Sequence, residues 1–215
     1  MEYINSTLYL EKLISSVKII NNPIAIRNIS EKFYSTKFFK YMPPTVLTKD
    51  INKIKIFYKK YKKIVIKPIH GYAGKGILFL NNTFKKKEIS KLLHKNGHAM
   101  VQKFLPNVKK GDKRVFIING KVCGAIRRIP SKNSILSNIS QGGTAVKTTL
   151  NSKQNKISSI IAKDLLKNKI YFAGIDFVSN YLIGDINVTS PTGLPQYKEL
   201  TGINLGETFW DSLEN

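Results

Sequence analysis

Residues 64–80 read IVIKPIHGYAGKGILFL, in which two short apolar and β-branched runs flank a glycine-rich turn. The pattern predicts two strands, 64–68 and 76–80, joined by that turn. Glycines let a backbone approach a ligand closely, so that the amides of the turn can face phosphate oxygens. Lys67, near the end of the first strand, can add a fixed positive charge. The stretch lacks the Gly-Lys-Ser/Thr of a Walker A loop, and on its own a tight hairpin with glycines for steric reasons is the simpler interpretation.

Helical and strand patterns alternate along the rest of the chain and predict an α+β protein. Helical spacing covers 7–20, 30–40, 48–58, 86–96, 152–168 and 206–214, with Ser6, Asn28, Ser30 and Thr48 in capping positions. Asn119-Gly120 suits a type I′ turn and predicts a hairpin over 113–128. A strand at 99–104 and a second hairpin, 171–178 with 181–189, complete the pattern. Two α+β lobes that meet near residue 100 are the economical interpretation.

The composition of the 215 residues indicates a globular protein outside the membrane. No apolar stretch approaches the roughly 20 residues that cross a bilayer, and Met1-Glu2-Tyr3 does not begin a signal peptide. Cys123 is the only cysteine, which excludes an internal disulfide framework and a cysteine-based zinc site and fits a reducing cytosol. We therefore expect a cytoplasmic protein.

A formal charge of +23, from 36 Lys+Arg against 13 Asp+Glu, is the strongest compositional feature. Such an excess attracts anions, whether nucleic acid, nucleotide or an acidic peptide. However, the excess is mostly lysine and accompanies abundant Ile and Asn, as compositional drift toward AT-rich codons produces. The lysine runs lie in helix or turn patterns, and Tyr and Phe do not form a stacking platform for bases. Drift therefore explains the charge better than a nucleic-acid partner does.

Three oxygen-bearing side chains are predicted to converge near the second hairpin. Asp185 and Asn187 are two residues apart in a strand and share one face. If the hairpin turns at Ser179-Asn180, Asp176 lies near Ile183 on that face. Such donors suit Mg²⁺, which binds oxygen ligands at about 2.0–2.1 Å. A one-residue shift of register would move Asp176 to the other face, and salt bridges to the many lysines are the alternative.

A cationic cluster is predicted at the open end of the first hairpin, which Asp112-Lys113-Arg114 begins and Arg127-Arg128 ends. It could clamp a carboxylate or stabilise an acyl-phosphate, or it could be the solvated edge of a sheet. His70, His94 and His98 have no metal spacing with one another or with Cys123. No catalytic Cys/His or Ser/His arrangement is indicated.

These segments, in this order, resemble the prokaryotic glutathione synthetase family of the ATP-grasp superfamily over essentially the whole chain. The most specific block, DINVTSPTG at 185–193, is similar to the family's E-I-N-V-T-S-P-T-G. The supporting segments are 66–68 with the glycines that follow, 102–106, 111–115, 128–130, 173–176 and 200–202. The resemblance implies an α+β ATP-grasp fold with ATP held between antiparallel sheets. It divides the chain into a helical connector at 1–41, a small lobe with the glycine-rich loop at 42–98, and a large lobe at 99–215.

The resemblance also implies roles for individual residues. Lys32 and Lys67 would hold the ATP phosphates. Further ATP-binding positions would be Gly71, Gly74, Gly76, Asp112 and Asn187, and Gln102, Lys103, Phe104 and Leu105 would pack against adenine. Mg²⁺, or Mn²⁺ in its place, would bind Asp176, Asp185 and Asn187. Arg114 and Arg128 would be catalytic, because they orient the substrate carboxylate and stabilise the acyl-phosphate. Other substrate-binding positions would be Asn138, Gly142, Gly143, Ser190 and Thr192, the first three in a lid loop over 130–146.

The implied reaction is phosphorylation of γ-glutamylcysteine by ATP and attack by the glycine amine, which gives glutathione, ADP and phosphate. Alternatives are an ATP-grasp ligase with another peptide substrate, a weakly active or inactive ATP-binding subunit, and a basic nucleic-acid-binding protein, for which we expect salt-sensitive binding. The family has an N-terminal lobe before the segment that matches 1–22. We therefore expect a homo-oligomer, or a partner chain that supplies this lobe.

Some positions depart from the family pattern. The lid motifs R-G-N and G-G-R-G are here Leu136-Ser137-Asn138 and Gly142-Gly143-Thr144-Ala145, without the arginines. The Glu of the metal block is the shorter Asp185, the hairpin before it carries one extra residue, and Pro195-Gln196 replaces a polar or basic residue followed by Glu. Loss of a charged donor to a developing oxyanion can cost about 10²–10³ in rate. These changes therefore bear on turnover more than on nucleotide binding.

Overall fold

The computed structural model describes residues 2–71, 74–132, 134, 137–139 and 142–214. The helices are α1 (Glu2–Lys12), α2 (Pro23–Asn28), α3 (Glu31–Tyr34), α4 (Ile51–Tyr61), α5 (Lys86–Asn96), α6 (Ser152–Lys167), α7 (Leu194–Thr201) and α8 (Leu205–Glu214), with 3-10 helices at Ser35–Tyr41 and Pro106–Lys110. The strands are β1 (Thr45–Thr48), β2 (Ile64–Pro68), β3 (Leu78–Leu80), β4 (Ala99–Lys103), β5 (Asp112–Ile118), β6 (Lys121–Ile129), β7 (Thr144–Lys147), β8 (Phe172–Val178) and β9 (Tyr181–Asn187).

The first sheet is antiparallel and has the strand order β1-β4-β2-β3. Helices α4 and α5 cover one face, where Ile54 and Ile89 pack against Ile64 and Ile66 of β2. Because successive side chains of a strand point to opposite faces, Lys67 projects from the face that these helices leave open. The β2 pattern thus supplies both a buried core and a charged side chain for the opposite side of the sheet.

The second sheet is antiparallel and has the strand order β7-β6-β5-β8-β9. On β5, Val115 and Ile117 pack on the side of α6, whereas Phe116 and Ile118 pack on the side of α7 and α8. Because side chains alternate between the two faces of a strand, Asp112 and Arg114 at the start of β5 lie on the face opposite α6. Strands β8 and β9 place their site residues on this face as well, since Ile175 and Ile186 belong to the cluster with α6.

The two sheets approach each other closely at Gly184, which has a φ of +88°. A Cβ atom there would lie 2.8 Å from Sδ of Met100 on β4 and 3.0 Å from Cε of Met42. Both the positive φ and this close packing require glycine. The contact brings the next residue, Asp185, up to the first sheet.

Both predicted hairpin turns are confirmed. Asn119 and Gly120 join β5 to β6 with φ angles of 47° and 68°, as a type I′ turn requires. Ser179 and Asn180 join β8 to β9, where Val178 pairs with Tyr181. The β8–β9 register shifts between Ile175 and Phe177, which pair with Ile186 and Leu182 respectively. Asp176 therefore faces the segment 183–185, on the side that the register argument required.

Several helix boundaries differ from the predicted ones. Helix α1 begins at Glu2, so Ser6 lies inside it rather than at its N-cap. It ends at Lys12 instead of reaching residue 20, and Asn22 caps a separate helix, α2, through a hydrogen bond from Ala25 N. The region 30–40 is the short α3 followed by a 3-10 helix. At α4 the cap is Asp50, which accepts from Asn52 N, rather than Thr48.

Some elements escaped prediction from periodicity, because they are short and depend on their neighbours. Strand β1 and strand β7 pair along one edge only, and β7 lies inside the segment expected to be loop, 130–146.

Strand β4 pairs with β1 and β2, so its residues, 99–103, belong to the first sheet although the expected lobe boundary follows residue 98. Within the described ranges, no helix combines the length and apolarity needed to cross a bilayer.

Candidate active site

A cleft between the two sheets brings most of the predicted site residues together. It holds about 990 Å³ of space, including the space at its open mouth. Strands β2 and β4 line one side, and the face of the second sheet opposite α6 lines the other. The predicted residues in its lining are Lys32, Lys67, Gly71, Gly74, Gln102, Lys103, Phe104, Leu105, Asp112, Arg114, Arg128, Asn138, Asp176, Asp185 and Asn187.

Two buried lysines converge on one carboxylate across the cleft. Nζ of Lys32 lies 3.3 Å from Oδ1 of Asp185, and Nζ of Lys67 lies 3.6 Å from Oδ2. Lys32 also donates to the Gly71 carbonyl at 2.6 Å, and Lys67 donates to the Ile183 carbonyl at 2.7 Å. Burial alone would raise the pKa of Asp185, but Lys67 and Lys32 outweigh burial and hold it below its ordinary value. The carboxylate is thus charged and links β9 to α3 and to β2.

Two arginines and two aspartates form a buried cluster at the neighbouring end of the second sheet. Asp112 pairs with Arg128 across β5 and β6, and Arg114 pairs with Asp176 across β5 and β8. Nε and Nη2 of Arg128 donate to Asp112 at 2.7 and 2.8 Å, and Nη2 also lies 2.9 Å from Oδ2 of Asp176. Arg114 donates to the same carboxylate at 2.5 and 2.9 Å. The predicted proximity of the hairpin ends is confirmed, and the solvated-edge alternative is wrong, because Arg128 is only 2% exposed.

The two aspartates of this cluster differ in charge stability. Burial raises the pKa of Asp112 to about 6, even though Arg128 opposes the shift. Burial would also raise the pKa of Asp176, but Arg114 and Arg128 outweigh it and lower the value to about 2. The difference follows from the geometry, because Asp176 accepts from both guanidinium groups and Asp112 accepts from one. Asp176 is therefore the fixed negative charge that holds both arginines.

The other end of the cleft is largely apolar. The Phe104 ring, just after β4, packs against Phe79 of β3 with their centroids 4.5 Å apart. Val65 lies directly opposite Gln102, whose side-chain amide donates to Oγ1 of Thr45 at 3.1 Å. A flat apolar ring could pack against this surface, with backbone groups of 102–105 beside it.

The predicted metal-binding side chains lie around one part of the cleft. Asn187 donates its side-chain amide to the Gly174 carbonyl at 3.2 Å, which orients its side chain. Two carboxylates and an amide oxygen are hard donors of the kind that Mg²⁺ prefers, so the donor set fits that ion. Among the described residues no group of three or more His, Cys, Asp or Glu side chains has metal-binding geometry. The carboxylates are instead paired with Arg114, Arg128, Lys32 and Lys67.

Five predicted site residues are outside the lining of the cleft, namely Gly76, Gly142, Gly143, Ser190 and Thr192. Thr192 is adjacent, since its carbonyl accepts from Nη1 of Arg114 at 3.3 Å. Gly143 packs on the loop backbone, where a Cβ would lie 2.3 Å from the Ser137 carbonyl oxygen. Of the expected lid loop, residues 133, 135, 136, 140 and 141 lie outside the described residues.

The cleft also contains residues that the sequence analysis did not identify, among them Glu31 and Ser137. Burial, and after it the Asp185 carboxylate, raises the pKa of Glu31 to about 7. In the sequence, a Glu in the first turn of a helix is fully explained by the helix dipole. Only its position next to Lys32 could have drawn attention to it.

Comparison with known proteins agrees with this geometry. A model of the family described as prokaryotic glutathione synthetase, ATP-grasp domain, matches residues 31–202. A glutathione synthetase from Mesorhizobium japonicum is 35% identical over 219 residues, which cover 100% of this chain and 69% of that protein. One from Synechocystis is 39% identical and covers 96% of this chain and 66% of that protein. The chain thus spans about two thirds of the length of these relatives.

Solved structures with the same fold have lower sequence identity. A D-alanine–D-alanine ligase from Bacillus anthracis, complexed with ATP, aligns with a TM-score of 0.64 at 16% identity, over 94% of this chain and 72% of that one. The ATP-grasp ligase PsnB, complexed with a precursor variant, Mg and ADP, aligns with a TM-score of 0.67 at 17% identity, over 93% of this chain and 62% of that one. These likenesses concern the fold, and the predicted arrangement of two antiparallel sheets is confirmed.

Proposed function

The chain belongs to the prokaryotic glutathione synthetase family and is an ATP-dependent carboxylate–amine ligase of the ATP-grasp type, and we propose that it joins γ-glutamylcysteine to glycine. In this reaction the γ-phosphoryl group of ATP passes to the free cysteinyl carboxylate, which gives ADP and an acyl-phosphate. The glycine amine then attacks the acyl carbon and loses a proton, while the bond to the phosphate oxygen breaks. The products are glutathione, ADP and phosphate.

The observation that carries the proposal is the convergence of Lys32 and Lys67 on Asp185 across the cleft. Each ammonium group already makes one hydrogen bond to a backbone carbonyl, and its second partner is this one carboxylate. A bound polyphosphate would attract both lysines as strongly as Asp185 does, because it places several negative charges at the same distance. The lysines would then bind ATP phosphates, and the Asp185 carboxylate would be released for another cation.

The metal proposal follows from that exchange. Asp176, Asp185 and Asn187 would hold Mg²⁺, and Mn²⁺ could replace it. The ion would supply positive charge that neutralises the phosphate oxygens during transfer. Asn187 is held by its hydrogen bond to the Gly174 carbonyl, and Asp176 by two guanidinium groups. These contacts restrict both side chains before any ligand binds.

Arg114 and Arg128 would bind the carboxylate that is phosphorylated. Their planar guanidinium groups suit bidentate recognition of carboxylate and phosphate. Both guanidinium groups donate hydrogen bonds of 2.5–2.9 Å to Asp176 and Asp112, and these bonds fix their orientation. Preorganised donors of this kind stabilise charge that develops in a transition state without reorganisation. The apolar end at 102–105 would hold adenine, with the Phe104 ring as part of its packing surface.

The complete reaction would also require a further lobe beside the substrate. This chain matches 69% of the length of the Mesorhizobium japonicum protein and 66% of that of the Synechocystis protein, so both relatives contain additional residues. We propose that a second copy of the chain, or a partner chain that supplies the corresponding lobe, completes the substrate side of the cleft. The proposed organisation of this chain itself is a small lobe around the first sheet and a large lobe around the second.

The test is release of ADP from Mg·ATP by the purified protein, with γ-glutamylcysteine and glycine together and with each one omitted. Mass spectrometry of the products identifies the peptide that forms. We expect ADP and glutathione in equal amounts only when both substrates are present. Lys67→Ala should abolish the reaction, whereas Lys91→Ala, on the exposed side of α5, should not affect it.

ADP release with a different peptide, and none with γ-glutamylcysteine, would assign another substrate to the same cleft. Undiminished ADP release by Lys67→Ala would contradict the proposed nucleotide site itself.

A further inference from the structure

Ser137 has an unusual environment for a loop hydroxyl. The residue belongs to the lining of the cleft, yet it is only 3% exposed. Its Oγ is shielded from solvent and has no hydrogen-bond partner among the described residues. A buried hydroxyl that lacks a partner is unfavourable, and buried polar groups in native proteins are nearly always satisfied. The hydroxyl is therefore available to a bound ligand, because no described residue makes a hydrogen bond with it.

Backbone contacts connect Ser137 to β7, which pairs with the end of β6 that carries Arg128. The carbonyl oxygen of Ser137 packs against Gly143, where a Cβ would lie 2.3 Å from it, and Gly143 N donates to the Asn138 carbonyl at 3.2 Å. Gly143 precedes Thr144, the first residue of β7, which pairs with Ile129 of β6. The residue before Ile129 is Arg128. A continuous chain of backbone contacts thus connects Ser137 to the buried arginine cluster.

The chemistry of this side chain also suits an anionic ligand. A serine hydroxyl can donate one hydrogen bond to an anionic oxygen, and such charge-assisted bonds are about twice as strong as neutral ones.

We propose that Ser137 is a further substrate-contacting residue, whose hydroxyl donates a hydrogen bond to a carboxylate oxygen of the bound peptide beside Arg114 and Arg128. This inference rests on the proposed function, because it takes the peptide of that reaction as the ligand. The role is specific to the peptide, since the nucleotide phosphates are assigned to Lys32 and Lys67, which pair with Asp185 rather than with the arginine cluster. Removal of the hydroxyl should therefore weaken peptide binding and leave nucleotide binding unchanged.

The experiment is calorimetric titration of γ-glutamylcysteine into the protein saturated with Mg²⁺ and a non-hydrolysable ATP analogue, for the wild type, Ser137→Ala and Ser137→Thr. We expect Ser137→Ala to raise the Kd for the dipeptide about tenfold or more, as loss of a hydrogen bond to a charged group predicts. Ser137→Thr keeps the hydroxyl and should restore most of the affinity. The Kd of the nucleotide analogue should be the same for all three proteins.

Ser158 provides a matched control. It is a second fully buried serine whose Oγ has no partner among the described residues, but it lies on α6, outside the lining of the cleft. Ser158→Ala should match Ser137→Ala in thermal stability and leave the dipeptide Kd unchanged. Equal dipeptide binding by Ser137→Ala and the wild type would overturn the inference and leave the proposed function intact. Absence of dipeptide binding by the wild type would overturn both.

Discussion

Arg114 and Asp176 are direct partners across β5 and β8, and their side chains form a buried two-point ion pair with Nε–Oδ1 of 2.5 Å and Nη2–Oδ2 of 2.9 Å. This pair connects the candidate metal site to the candidate substrate site, because one carboxylate belongs to both. The sequence predicts Asp176 as a metal ligand, and the structure gives the same carboxylate two arginine partners.

The first prediction concerns the stability that this pair provides. Asp176→Ala should lower the free energy of unfolding by about 3–5 kcal/mol, because it leaves Arg114 and Arg128 buried without a shared counter-charge. Urea denaturation of the ligand-free protein measures the change. Glu88→Ala removes one partner of the exposed pair with Lys85 and should cost less than about 1 kcal/mol. Equal decreases in the free energy of unfolding for the two variants would show that the buried pair stabilises the protein no more than the exposed one.

The second prediction concerns the nucleotide. Lys67→Met retains the apolar stem of the side chain but removes the ammonium group that reaches Ile183 and Asp185. We expect the Kd for an Mg·ATP analogue to rise by about tenfold to hundredfold, as loss of a charge-assisted hydrogen bond predicts. Calorimetric titration measures it. Lys91→Met, on the exposed side of α5, is the control for loss of one positive charge. An equal rise in the Kd for both variants would show that Lys67 acts only through the net charge of the protein and not through direct contact with the nucleotide.

The third prediction concerns the divalent cation. The nucleotide-induced rise in melting temperature should require Mg²⁺, persist with Mn²⁺ and disappear in EDTA, because Asp185 can leave its lysines only if another cation compensates it. Asp185→Asn should weaken this cation dependence, and Glu199→Gln, an exposed residue of α7, should not. A full rise in melting temperature without any divalent ion would argue against a metal at these residues.

The fourth prediction concerns pH. Burial and the Asp185 carboxylate raise the pKa of Glu31 from 4.5 to about 7, so the folded protein retains a proton that the unfolded chain releases. The free energy of unfolding therefore falls as pH rises from about 4.5 to about 7. Asp112, raised from 3.8 to about 6, contributes a fall in the same direction.

Glu31→Gln cannot ionise and should remove its part of this fall. Its stability relative to the wild type should therefore be higher at pH 8 than at pH 5, as measured by denaturant unfolding at both values. Glu207→Gln, on the exposed side of α8, should differ from the wild type equally at the two pH values. A Glu31→Gln difference that is the same at pH 5 and pH 8 would show that Glu31 ionises normally in the folded protein.

The sequence was most informative where local chemistry determines structure. The Asn119-Gly120 turn sets the pairing of Ile118 with Lys121, and it was enough to predict that the two ends of the hairpin lie close together. A β-bulge between Phe116 and Ile117 then shifts the register by one residue, so Asp112 lies opposite Arg128 rather than Arg127, and the turn did not predict this pairing. Lys67 follows two buried isoleucines by an odd number of positions along β2, so strand alternation is enough to place it on the opposite face.

Features that depend on distant parts of the chain could not be predicted in this way. Strand β4 inserts between β1 and β2, and its apolar sequence does not specify its partners. Gly184 has a φ of +88° and meets Met42 and Met100 between the two sheets, and neither feature is encoded in the residues next to it. Glu31 becomes part of the site because the fold brings Asp185 from β9 next to α3, about 150 residues further along the chain.

A crystal structure of the protein with a non-hydrolysable ATP analogue and Mg²⁺ tests the central claim most directly. The account predicts phosphates within hydrogen-bond distance of Lys32 and Lys67, adenine beside residues 102–105, and the metal ion on Asp176, Asp185 and Asn187. A nucleotide bound elsewhere, with both lysines still paired to Asp185 and side chains filling the cleft, would contradict it.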